Sequence, residues 1–112
     1  MEKEFMFWIR GLIEDDPIPH EIKSLVFYVN ENYEIGFSGT EKEKVEKIDL
    51  FFFYPLEAQY FYAPRLYENF FEQGERFALE TLKTFLIQLK AEKDFSFYNL
   101  YYGKLYSFAK KI

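Results

Sequence analysis

The sequence predicts an α+β domain, with a four- or five-stranded, mainly antiparallel sheet followed by a C-terminal αα-hairpin packed on one sheet face. Three observations carry that expectation. Residues 1–63 break into short apolar or alternating runs separated by turn residues. Residues 65–93 repeat their apolar side chains at helical spacing, and residues 95–111 gather theirs on half of a helical wheel. The whole of residues 1–112 reads as one domain, long enough to fold around a single core without disulfides.

Phe5 to Ile13 alternates, with Phe5, Phe7, Ile9 and Ile13 on one side and Met6, Trp8, Arg10 and Leu12 on the other. That is the period of a strand. Glu14-Asp15-Asp16-Pro17-Ile18-Pro19 ends it as a turn, and Pro19 can open one helical turn over His20 to Lys23. Leu25 to Val29 is β-branched and aromatic. Asn30-Glu31-Asn32 supplies a polar loop, and Tyr33 to Phe37 alternates again, so the two runs form a hairpin. Gly36-Phe37-Ser38-Gly39-Thr40 closes the hairpin as a turn, since it lacks the Gly-Lys-Ser/Thr ending of a phosphate loop.

Glu41 to Lys47 mixes charges and reads as a loop. Ile48 to Tyr54 is apolar on both faces from Leu50 onward, the pattern of a central strand, and Pro55 stops it. Glu57 to Tyr62 alternates once more and supplies a fifth strand. The long helix follows, with Tyr67, Phe70, Phe71, Phe77, Leu82, Phe85 and Leu89 on its apolar face. Gly74 falls on that face and marks a close approach to the sheet or a kink. Extending the wheel puts the apolar face of residues 95–111 roughly 190° away, so one straight helix would leave an aromatic stripe in water. A turn at Glu92-Lys93-Asp94, with Asp94 as N-cap, folds the second helix back.

Composition narrows the chemistry. The absence of cysteine removes thiolate nucleophiles, disulfides and Cys-ligated zinc together. The single histidine and the lack of a Gly-x-Ser-x-Gly elbow leave no acyl-transfer set, and no catalytic residue is assigned. A net charge of −5 opposes binding to a phosphate backbone, so no nucleic-acid partner is expected. No apolar run approaches the roughly 20 residues of a membrane span. Without a basic-then-apolar leader after Met1, a soluble cytoplasmic protein is the expectation. No cofactor is expected.

The aromatic fraction of 23% is the strongest signal, with 15 Phe and 10 Tyr. Core packing absorbs many of these rings, and the remainder suit an interface or an aromatic-lined cleft. The candidates are Trp8, Arg10, Asp49, Tyr60, Tyr62 and Tyr102. Asp49 enters the most apolar run, where an acid is either paired or sits in a pocket with a raised pKa. Asp15, Asp16 and His20 are the groups that could hold a divalent cation, although a solvated loop is the favoured reading of them. The favoured reading is a small non-enzymatic protein-interaction module, taking a protein partner or a second copy of itself. An immunity-type inhibitor of a basic protein is one concrete form. The alternative is a small-molecule binder or minor enzyme, with an aromatic-lined pocket between sheet and helices.

Overall fold

The computed structural model describes residues 2–50, 54–55 and 57–112. The chain opens with a helix where alternation suggested a strand. Helix α1 (Glu2–Asp15) buries Phe5 and Ile9 and half-buries Met6, Trp8, Leu12 and Ile13 against the same core. These positions are spaced i, i+1, i+3, i+4, i+7 and i+8, which is one side of a helix. Phe7, which alternation would bury beside Phe5, is 82% exposed. Glu2 and Glu4 in the first turn suit the positive end of the helix dipole.

After a turn in which the Ile22 amide donates to the Pro19 carbonyl, β1 (Ser24–Val29) and β2 (Ile35–Thr40) form the expected antiparallel hairpin. The Asn30 side-chain oxygen holds its loop together by accepting the amides of Asn32 and Glu34. Tyr33, expected inside the second strand, instead takes a left-handed conformation with φ 59° in that loop. Strand β3 (Tyr60–Phe61) then pairs with β2, and α2 (Pro64–Gln73) and α3 (Glu75–Ala91) follow. Among the described residues, the expected central strand over Ile48 to Tyr54 is not formed. Ile48 to Leu50 are outside any strand, Tyr54 makes an isolated bridge to Gly39, and Phe51 to Phe53 lie outside the described residues.

The C-terminal αα-hairpin is overturned. Residues 65–93 form two helices separated at Gly74, whose φ of 86° and ψ of −177° no helix contains. Residues 92–98 form successive turns, so Asp94 caps no helix. Strands β4 (Asn99–Lys104) and β5 (Lys110–Lys111) replace the second helix. The sheet order is β3-β2-β1-β4-β5, and β4 lies parallel to β1, so the sheet is mixed. The central strand is therefore β1, buried along its whole length.

The two faces of the sheet are covered differently. Leu25, Phe27, Val29, Ile35, Phe37, Leu100 and Tyr102 share one large core with all three helices. Val26, Tyr28 and Tyr101 on the opposite face are covered by Val45 and Ile48. That covering segment is a strap tied along its length. The Ser24 hydroxyl donates to the Lys42 carbonyl at 2.6 Å, the Tyr101 hydroxyl to the Glu43 carbonyl at 3.0 Å, and the Ala109 amide to the Glu46 carbonyl at 2.8 Å. The second sheet face is thus covered by the chain itself.

Candidate functional site

The outward side of α1 builds the site. With the Phe5/Ile9 stripe turned to the core, two adjacent rows at i+4 spacing follow, the first facing outward and the second at the border of the core. They run Lys3, Phe7, Gly11, Asp15 and Glu4, Trp8, Leu12, Asp16. Pro55, Glu57 and Gln59, with the residues of β3, form the opposite wall. Between them lie a cleft of about 700 Å3 beside Pro55 and a second of about 490 Å3 beside Tyr60 to Tyr62. Phe7 and Trp8 line both, so the two clefts adjoin along α1. Gly11 deepens the floor, since a methyl group built there would meet nothing within 4 Å.

Rigid packing holds this groove open. Trp8 is half-buried and sits against Phe5, Phe61 and Phe37, with ring centroids 5.7, 5.6 and 6.4 Å away. At the far end, the buried Tyr54 hydroxyl donates to the Asp16 carbonyl at 2.6 Å and ties the exit of α1 to the Pro55 segment. The Tyr54–Pro55 peptide bond is cis. Burial pushes the Tyr54 phenol above its ordinary pKa, and the nearby Asp16 carboxylate adds to the shift. Among the described residues β3 is the last strand of the sheet on this side. Charge around the groove is mainly negative, from Glu4, Asp15, Asp16 and Glu57 against Lys3.

The structure gathers some of the sequence candidates and scatters others. Trp8, Tyr60, Tyr62, Asp15 and Asp16 all line the groove. Arg10 faces away, paired with Glu92 at 3.0 Å and Asp94 at 3.7 Å, where it ties α1 to the end of α3. Asp49 is exposed, accepts the Leu50 amide at 2.8 Å and does not line the groove. Tyr102 is 7% exposed and belongs to the core. His20 pairs with the neighbouring Glu21, at 3.2 Å, and does not line the groove. Among the described residues, no three His, Asp or Glu side chains cluster as metal ligands. Between β2, β3 and α2 the interior cavity measures about 10 Å3, at the threshold for a single water.

Phe7, Gly11 and Pro55 were missed in sequence. The signal for the first two is the helical period itself: once Phe5 and Ile9 are buried, Phe7 and Gly11 must face out.

Behind the groove lies a cluster of hydroxyls. Tyr28 and Tyr60 flank Gly36 across the sheet, and the Tyr28 ring lies over that glycine. The Tyr28 hydroxyl meets those of Tyr60 and Ser38. Burial first, then Tyr60, raises the Tyr28 pKa above the usual phenol value. Tyr60 is therefore fixed in place from the second face of the sheet while its strand lines the groove.

Comparison with protein-family models, curated proteins and solved structures gives no match for this chain. Among the described residues no helix is long and apolar enough to cross a membrane.

Proposed function

We propose that the protein is a non-enzymatic interaction module whose groove between α1 and β3 takes an extended, basic segment of a partner protein. The observation that carries this reading is the pairing of an exposed ring floor with an acidic rim. Phe7 stands 82% exposed beside Trp8, and the carboxylates of Glu4, Asp15, Asp16 and Glu57 border the same groove. Apolar anchors in a concave surface supply affinity, while the charge rim selects the partner and speeds encounter. The wall opposite the helix is a sheet edge, the arrangement in which an extended peptide can add backbone hydrogen bonds. An inhibitor of a basic protein is one form such a module takes.

Trp8 is the sole tryptophan, so its emission reports groove occupancy directly. Selection from a random peptide library should yield sequences that combine Lys or Arg with one large apolar residue. Their binding should shift Trp8 emission, weaken about tenfold on Phe7→Ala, and weaken again on the Asp15→Lys, Asp16→Lys double change. Peptides that bind without moving Trp8 emission, or that ignore both changes, would refute the reading. A dimer in solution that Phe7→Ala converts to a monomer would instead assign the groove to a second copy.

A further inference from the structure

Beyond the groove, a row of rings crosses the surface from β3 to the hairpin loop. Tyr62 meets Tyr67 with centroids 5.3 Å apart, Tyr67 meets Phe71 at 4.8 Å, and Phe71 meets Tyr33 at 5.0 Å. At one end of this row a niche of about 260 Å3 is lined by Tyr62, Tyr67, Glu34 and Asn32. We infer that this niche is a separate binding site for an alkylammonium group that retains an N–H, such as a lysine or methylated lysine side chain.

Three features of the niche point to that chemistry. The Tyr62 and Tyr67 rings both line the niche and are tilted 58° to one another, so a cation seated there has two aromatic rings within reach. The negative face of each ring attracts a cation, and alkyl groups on its nitrogen pack against the same surface. Glu34 supplies the second feature. Its amide donates to the Asn30 side chain at 3.0 Å, and its Oε1 accepts from Asn30 Nδ2 at 3.1 Å. The loop thus fixes the carboxylate in position and leaves Oε2 to accept a charge-assisted N–H. Third, the volume falls below the roughly 300–1,000 Å3 of sites that hold drug-sized ligands, which suits one head group. The hairpin register matters here, because the left-handed Tyr33 turns the chain so that Asn32 and Glu34 both reach the niche.

The site stands on different residues from the groove, sharing only Tyr62. It is testable without any knowledge of a groove partner. The full chain is titrated with N-acetyl-dimethyllysine methylamide, and amide shifts are followed by NMR. Saturable shifts are expected at Asn32, Glu34, Tyr62 and Tyr67, with a dissociation constant in the millimolar range typical of one small group. Tyr67→Ala should weaken binding about five-fold or more, while Tyr67→Phe, which keeps the ring face, should stay within about two-fold. Glu34→Gln should weaken binding at least about three-fold, through loss of the charged acceptor. The neutral isostere N-acetyl-norleucine methylamide should leave these amides unmoved. Equal shifts from the norleucine compound would overturn the inference, as would equal losses for Tyr67→Phe and Tyr67→Ala. Tighter binding of choline than of dimethyllysine would overturn the N–H requirement and move the assignment to quaternary head groups.

Discussion

At the residue scale, glycine positions in this chain respond to the same substitution in opposite ways. A methyl group at Gly36 would lie 2.4 Å from the Tyr28 ring, which is itself buried and held by Tyr60 and Ser38. Gly36→Ala should therefore cost about 1–3 kcal/mol through overpacking. Gly11→Ala meets open space inside a helix and should add about 0.5–1 kcal/mol. Urea unfolding of the two variants beside the parent protein checks both signs. The tyrosine hydroxyls set a pH limit as well. Burial raises Tyr28 and Tyr54 above the ordinary value of 10.0, so the folded state holds these protons longer than the unfolded chain. Their contribution is complete below about pH 10 and is lost as pH rises through the folded values. Stability measured against pH should fall above that point, and Tyr28→Phe with Tyr54→Phe should flatten the fall.

At the scale of elements, the break at Gly74 decides how the helices lie. By helix propensity alone, alanine at this position would gain about 1 kcal/mol. The observed φ of 86° and ψ of −177° belong to a region that only glycine enters freely. Gly74→Ala should instead destabilise by about 1–3 kcal/mol, and thermal melts with a native-state CD spectrum separate the two expectations. The break lets α2 place Leu66 and Phe70 over the β2–β3 side while α3 lays Leu82, Phe85, Leu86 and Leu89 on the main core. The strap on the other face depends on few apolar contacts. Ile48 is fully buried there, so Ile48→Ala should cost about 2–5 kcal/mol by chemical denaturation. An exposed residue of the same strap, such as Lys44, should tolerate alanine within about 0.5 kcal/mol.

At the scale of the whole molecule, the far end of the chain completes the middle of the sheet. Strand β4 supplies one full side of β1, and the Asn99 amide bonds the Lys23 carbonyl at 3.0 Å. Removing residues 95–112 should therefore abolish cooperative folding, which NMR dispersion and a calorimetric scan would show. A C-terminal helical hairpin laid over a finished sheet would have left strand signals in such a truncation. The acidic balance also acts at this scale, since the groove rim shares the sign of the net charge of −5. Any bound basic segment should lose affinity as ionic strength rises.

The sequence by itself determined the α+β composition, the β1–β2 hairpin, the strap as an irregular segment, and a helical stretch with Gly74 singled out on its apolar face, though not that the helix divides there. Each rests on local chemistry that neighbours do not override: a polar loop between β-branched runs, mixed charges, and a glycine on an apolar face. It also marked Trp8, Tyr60 and Tyr62 as rings too numerous for the core alone. Only the tertiary structure decided the two ends of the chain. Residues 5–13 satisfy both a period of two and a helical period, because Phe, Met, Trp and Ile occupy nearly every position, and burial of Trp8 in preference to Phe7 selects the helix. Residues 100–103 are buried on both faces beside β1, so no alternation survives to distinguish a strand from a helix. Arg10 and Tyr102 were drawn away from the groove for the same reason. Where aromatic side chains fill both faces of an element, the partner it packs against sets its period, and that partner lies elsewhere in the chain.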